Sequence, residues 1–471
     1  MTTASVKTED VFTPGKNTTL TYVERQHEQA VRDLRRHIRR GGVLVSVIGP
    51  TKMGKTVLVQ REAPHAFVVH GNAIENVDDF WERFAAFLEI PLASTRTTVV
   101  GDKSKWGFFG KLGLFGVGET GANVGGEHTV DKGTSTTSTM NADQAALQAV
   151  KTIRDGGGKI TIVVDDFHFI PEPVRKGLVQ ALKPIAFAGA TIILITLPHR
   201  RTETSDLVTD MSGRTATVEI NPWNTDDLAT IATLGFEKLN LVDGREIADR
   251  LAEASYGSPQ IMQQLCLELC ETVNDILEAQ GSPTLLVEPA DWAEFHREVR
   301  DDAAVKWVHR FIAGPLMRGK KRNLHELTDG RVFDGYQVIL AALKELGPPL
   351  DLTVPVLTAQ IDKMLKDTKA NALAVGKKLS QMSTLAAKPL SAKLAETDDE
   401  DATANLLVES DDDPASGTPQ PVFEYVPDAV GPTIHILEPY LAYTIRWHSE
   451  DLLKESMAPV AEQGSATGPT P

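Results

Sequence analysis

Residues 49–56, GPTKMGKT, match G-x-x-x-x-G-K-[ST] at every fixed position: Gly49, Gly54, Lys55 and Thr56. The pattern has a definite chemistry. Glycines let successive backbone N–H groups turn inward around a β-phosphate, with Pro50, Thr51, Lys52 and Met53 completing the loop and Val57 continuing it. Lys55 places a positive charge on the β- and γ-oxygens, and the Thr56 hydroxyl is a ligand for Mg²⁺. The alternative is a plain glycine-rich turn, and the context decides between them. The apolar, β-branched run VLVSVI (43–48) reads as a buried strand, and TVLVQREA reads as a helix. A strand before and a helix after are what a triphosphate cradle requires.

A cradle needs carboxylates nearby, and TIVVDDFHF (161–169) offers a pair. Asp165 and Asp166 close an apolar strand, and in a parallel sheet that end lies beside the phosphate turn. Asp165 would hold Mg²⁺, directly or through water. Asp166 would orient or deprotonate the hydrolytic water. His168 follows with no second ligand, so its reading is structural. No guanine-reading N-K-x-D-type motif occurs, which favours ATP over GTP.

These residues must be positioned by a sheet. ERQHEQAVRDLRRHIRR (24–40) has Val31, Leu34 and Ile38 on one helical face, and Gly41-Gly42 ends it. AFVVHG, KITIVVDD, ATIILIT and TATVEI supply further strands, and the segments 77–90, 141–154 and 171–187 supply helices. Strands alternating with helices predict an α/β fold with a parallel, helix-covered sheet. Residues 101–139, rich in glycine with Trp106, Phe108, Phe109, Leu114 and Phe115, read as an insertion hairpin whose aromatics pack on its own domain, the alternative being a hairpin that binds a partner or touches a membrane. Residues 224–296 read as helical throughout. The expected division is a loose tail at 1–18, an α/β domain at 19–222, a helical lid at 223–298, a domain at 299–450 and a second tail at 451–471.

A chain of 471 residues is too long for one core. Its formal net charge is −16, but residues 396–413 carry nine acids and no bases, leaving −7 for the rest. The segment 396–420 therefore reads as a solvated acidic insert, and global acidity does not argue against a local basic surface. The longest apolar run, IAFAGATIILITLP (185–198), is too short to span a bilayer. MTTASVKTED lacks the apolar core of a secretory signal. Cys266 and Cys270 lie four apart in an apolar helical pattern with no His/Cys cluster around them, so they read as core residues. The expected compartment is the cytoplasm.

With these motifs in place, residues 20–275 resemble the AAA+/STAND superfamily of P-loop ATPases, nearest to the origin-recognition-like and bacterial STAND members. The resemblance implies further roles. YVERQHEQAVRDL is similar to the family's N-terminal Gly-Arg region near the adenine, with Glu24 in place of the glycine before Arg25. Thr196, ending IILIT, would be a sensor-1 residue watching the γ-phosphate. Arg200 and Arg201 stand where STAND proteins carry an arginine, and Arg214 is the alternative finger. EASYGSPQIMQQLC resembles the lid G-x-P motif, which would pack Pro259 on the adenine. Gln260 stands in the neighbourhood of the missing sensor-2 arginine, which implies a slow switch rather than a processive motor.

The C-terminal region resembles a winged helix. GYQVILAALKELG, PVLTAQIDKMLKD and NALAVGKKLSQMSTLA would be its helices, and VFEYVP with TIHILEPYLAYTIRW its wing. Lys377, Lys378, Lys388 and Lys393 make the third helix and its exit basic, as in a duplex-DNA reader. The adjoining acids oppose DNA, so contact with a protein partner or a second copy is preferred. The resemblance thus implies an ATP-dependent switch in signalling or anti-phage defence, with a DNA-associated initiator, loader or transposition helper as the alternative.

Overall fold

The structure, a computed structural model, describes residues 5–16, 19–25, 28–90, 141–197, 213–242, 244–317, 322–366, 369–388, 390, 396–397, 421–427 and 431–457 of the 471. The aromatic-rich segment 101–139, Arg200, Arg201, Lys393 and nearly all of the acidic insert lie outside the described residues. Two compact units are formed. One holds Tyr22–Pro222, and the other gathers the described residues up to Thr21 and those from Trp223 onward.

The first unit is built on five parallel strands: β1 (Val43–Ile48), β2 (Phe67–His70), β3 (Thr161–Asp165), β4 (Thr191–Thr196) and β5 (Thr215–Glu219). They lie side by side in the order β2-β3-β4-β1-β5. Every residue of β1 and β4 is buried, which is why these runs are apolar without alternation. The helices are α1 (Gln29–Arg40), α2 (Lys55–Glu62), α3 (Val77–Phe87), α4 (Ala142–Asp155) and α5 (Glu172–Phe187). Asn76 starts α3 with a capping box, its side chain accepting from Asp79 N while Asp79 accepts from Asn76 N. Phe67, Phe80, Phe84 and Ile162 then meet in one core. The chain runs from β1 toward β2 on one side and reaches β5 on the other. Such a reversal leaves a crevice at the carboxyl end of the central strand.

The second unit opens with the helices α6 (Thr225–Lys238), α7 (Arg245–Ala254), α8 (Pro259–Glu268), α9 (Trp292–Glu298) and α10 (Asp302–Ala313). A π-helical turn, Leu269–Val273, continues α8. Cys266 and Cys270 are buried here, and burial raises both thiols, so they are packing residues. The stretch 224–296 is not wholly helical, because β6 (Leu241–Val242) and β7 (Thr284–Leu285) form a short parallel pair. The remainder comprises the hairpin β8 (Leu324–Glu326) and β9 (Val332–Asp334), then α11 (Gly335–Glu345), β10 (Asp351–Thr353), α12 (Val354–Met364), α13 (Ala372–Ala386), β11 (Phe423–Val426) and β12 (Thr433–Ile436). Strands β10, β12 and β11 make one antiparallel sheet. Phe311, Phe333, Tyr336 and Phe423 fill the core beneath it.

Two further expectations are corrected by this unit. The N-terminal residues are not a loose tail: a helical turn at Thr8–Val11 docks on the helices, with Thr8 N donating to Leu277 O at 2.9 Å. Phe12 is fully buried edge-on against Phe236, ring centroids 5.8 Å apart. The contact is close enough that a Cβ on Gly235 would lie 2.2 Å from Phe12 Cζ. At the other end, YLAYTIRW is not part of a wing. It forms α14 (Pro439–Trp447), buried from Pro439 through Ile445, and α15 (Ser449–Met457) follows it with Leu452 and Leu453 in the core. Across the expected division at 298/299, α9 packs directly on α14, and both lie in the same compact unit.

That last contact centres on His296. Its ring stacks on Trp447 at 4.2 Å, and Nδ1 lies 2.9 Å from the Tyr443 hydroxyl. Tyr443 donates to the His296 carbonyl at 3.1 Å, so its oxygen accepts from a protonated Nδ1. Burial pushes the imidazole down to about 4. The folded unit therefore binds fewer protons than the unfolded chain, and stability falls as pH drops below about 6.5 toward 4. Between pH 7.5 and pH 5 this group alone is expected to remove about 2 kcal/mol. Urea unfolding followed by tryptophan fluorescence should show that loss, and His296→Gln should flatten it.

Candidate nucleotide-phosphate site

The loop 49–54 is shaped by its glycines and anchored by one apolar side chain. A Cβ on Gly49 would lie 2.3 Å from Ile220 O, so only glycine lets the loop leave β1 beside that backbone. Gly54 has φ +79, the left-handed turn from which α2 starts. Met53 is fully buried and pins the loop from below. In any α-helix the first N–H groups have no intrahelical acceptor, and those of α2 emerge at this loop.

Lys55 and Thr56 open α2. The Lys55 ammonium donates to Gly49 O at 2.8 Å and to Pro50 O at 2.6 Å, which holds it over the loop. Thr56 Oγ1 donates to Asp165 Oδ2 at 2.9 Å across 109 positions of sequence. Strand β4 lies between β1 and β3, so the bond spans the carboxyl edge of the sheet. Thr196 ends β4 in register with Ile48 and is buried at the same edge.

The carboxylates differ in environment. Asp165 is buried, and its Oδ1 accepts from Asp166 N at 3.0 Å, which fixes the group's orientation. Asp166 lies just past the strand at φ +51, in the left-handed region that aspartate tolerates better than most residues. Burial raises its carboxyl, Asp165 raises it further, and Lys55, His70 and Lys52 act in the opposite direction. A base shifted upward is better matched to accepting a proton at neutral pH.

The donor set fits a magnesium ion. Adjacent oxygens of an octahedral Mg²⁺ at its usual bond length are about 3.0 Å apart. The Thr56 hydroxyl and the Asp165 carboxylate are at 2.9 Å. Among the described residues no group of three or more His, Cys, Asp or Glu could hold a metal. Mg²⁺ bound to a nucleotide does not need one, because phosphates and water complete its shell.

Other anticipated residues fall elsewhere. Arg214 precedes β5, at the opposite edge of the sheet from the loop, with its guanidinium over Phe187 at 4.7 Å. The structure therefore does not bring it to this chain's own site. Pro259 belongs to the other unit, as the first residue of α8 behind the N-cap Ser258. His168 is buried against Phe169, ring centroids 4.4 Å apart, in keeping with a structural role. His70 was missed from sequence: it ends β2 opposite Asp165, with Nδ1 3.8 Å from Asp165 Oδ2. Its neighbour Gly71 packs so closely that a Cβ there would lie 2.3 Å from Asp166 O. The available signal was the polar residue closing the strand AFVVHG.

No family model matches the chain, and no curated protein matches it. Among solved structures it is similar to the ORC2 protein of Aeropyrum pernix in ADPNP-ADP complexes, at 11% identity and a TM-score of 0.47, covering 97% of this chain and all of that one. It is similar at the same identity and score to a Walker-type ATPase of Pyrococcus abyssi, over 91% of this chain and all of that one. The ORC1 protein of Aeropyrum pernix in complex with DNA aligns at 12% identity and a TM-score of 0.39, over 95% of this chain and 96% of that one.

Proposed function

We propose that the chain is a magnesium-dependent ATPase of the AAA+ type that works as a slow molecular switch. The observation that carries the reading is the 2.9 Å bond from Thr56 to Asp165, which joins the phosphate loop to the strand-end carboxylate. Loop amides and Lys55 would grip the β- and γ-phosphates of the substrate. Thr56 and Asp165 would hold Mg²⁺, which when bound neutralises phosphate charge. Asp166 would orient a water whose oxygen bonds the terminal phosphorus as the bond to the β-phosphate oxygen breaks, and would take one water proton. Thr196, between the two motifs, would contact the γ-phosphate. Steady-state phosphate release from ATP tests the reading, and a rate at background would remove the enzyme label.

The nucleotide state would be passed to a protein partner or a second copy, with the trans arginine supplied by Arg200, Arg201 or Arg214. Pro259 would contribute to adenine binding. The C-terminal helices, β10 and the β11–β12 hairpin have the order helix, strand, helix, helix, strand, strand, which supports a winged helix there. A DNA-associated ATPase is the second reading, supported by the exposed Lys377 on α13. Lys378 is a poorer phosphate ligand, because its stem packs on Gly335 and its ammonium lies over the Tyr336 ring at 5.5 Å. If DNA is bound, duplex retardation should weaken with salt, and Lys377→Glu should weaken it far more than Lys378→Gln. Retardation indifferent to Lys377 removes the second reading.

A further inference from the structure

Among the described residues the chain passes from one unit to the other after Thr21 and again after Pro222, and each passage is anchored on both sides. The first is clasped by Gln263, a buried residue of α8. Its Oε1 accepts from Thr13 N at 3.0 Å, and its Nε2 donates to Thr21 Oγ1 at 2.7 Å. Thr21 Oγ1 in turn donates to Val11 O at 3.1 Å. The next residue, Tyr22, already belongs to the other unit, where the Arg61 guanidinium of α2 lies 3.6 Å from its ring centroid. At the second passage Ile220 N donates to Ile48 O at 2.7 Å, and Ile220 O lies against Gly49. Trp223 N then donates to Gly257 O at 2.9 Å, in the turn that leads to Pro259 and α8. Only Asn221 and Pro222 separate those anchors, and proline fixes its own φ. Both passages thus run between the phosphate-loop segment and the start of α8 with little slack.

We propose that the N-terminal strap is a conformational device, the second strand of a hinge that couples the lid helix α8 to the phosphate-loop helix α2. A body joined to another by one flexible linker can turn in any direction. Joined at two short points, it turns only about the line through both. A strap that did no more than cover apolar lid surface would need Val11 and Phe12, but neither a clasp on Thr21 nor an anchor one residue later. The proposal rests on the nucleotide reading above, in which Pro259 contributes to adenine binding. Gripping one nucleotide by the phosphate loop and then by the lid is an intramolecular second step. Its effective concentration falls as the chain joining the two grips gains slack.

The test adds slack without removing a contact. Gly-Ser-Gly-Ser inserted between Thr21 and Tyr22 of the full-length chain adds roughly 10 Å of flexible reach to the passage. The same insertion after Lys16, inside the loop that Gln263 closes, lengthens the strap but not the passage. The first should weaken calorimetric binding of MgATP about tenfold, and the second by less than about twofold. Magnesium triphosphate, which offers the phosphate loop its ligand but nothing to Pro259, should bind the parent and both variants alike. Both variants should melt within about 3 °C of the parent, because neither insertion displaces a buried side chain. Equal MgATP affinity in the three proteins overturns the proposal and leaves the ATPase reading intact. So does a loss matched by triphosphate or by a lower melting temperature. A parent that takes up no MgATP removes both.

Discussion

Lys55→Ala is expected to weaken MgATP binding about 100-fold and to bring phosphate release down to background. The ammonium is held at the loop mouth by Gly49 O and Pro50 O, beside the loop proposed to cradle the phosphates. Charge-assisted hydrogen bonds contribute about 1.5–3 kcal/mol each. Losing the group entirely therefore costs about 3 kcal/mol of affinity, and each 1.4 kcal/mol is tenfold. Lys55→Arg should recover little, because a planar fork does not fit where a compact ammonium bonds two neighbouring carbonyls. Fluorescent-nucleotide titration and a coupled phosphate assay measure the two effects. Folding should be spared, since Met53 and the glycines shape the loop independently of this side chain.

Asp166→Asn should behave in the opposite way, with binding kept and turnover lost. The residue is half-buried, pressed by Asp165 and raised in basicity, which suits a group that accepts a proton rather than one that grips an anion. Removing its charge eases the approach of a polyanion, so MgATP affinity should hold or rise slightly. Phosphate release should fall roughly 100- to 10,000-fold, the range typical of lost general-base catalysis. Asp165→Asn discriminates between the two carboxylates. It removes the negative charge beside the Thr56 hydroxyl while leaving an amide that can still hydrogen-bond it, so its defect should appear as a higher magnesium requirement. Equal defects in the two variants would contradict the separate roles.

Much of the first unit was legible because its strands β1, β3 and β4 are buried on both faces. A run such as VLVSVI or TIILIT has no polar alternation to confuse it with a half-exposed strand, and glycine stands on both sides of VLVSVI. The phosphate loop was legible for a related reason: its backbone conformation demands glycine at Gly49 and Gly54. Lys52, at φ +59, kept its backbone hidden, since nothing in a residue's identity announces a left-handed φ. The N-terminal strap was illegible because two apolar residues, Val11 and Phe12, do the docking within an otherwise polar stretch. YLAYTIRW misled because a short aromatic, β-branched run is compatible with a strand or a buried helix, and only tertiary packing separates them. Arg214 shows a different limit: sequence order placed it near β5, but which edge of the sheet it occupies follows from strand direction.

The proposed site would join residues far apart in sequence into one magnesium-dependent grip, and calorimetric titration of ATP into the full-length chain tests that claim most directly. With Mg²⁺ present the account predicts saturable heat at one nucleotide per chain, and with the metal chelated an affinity at least tenfold weaker. No heat in magnesium, or the same affinity after chelation, would contradict it.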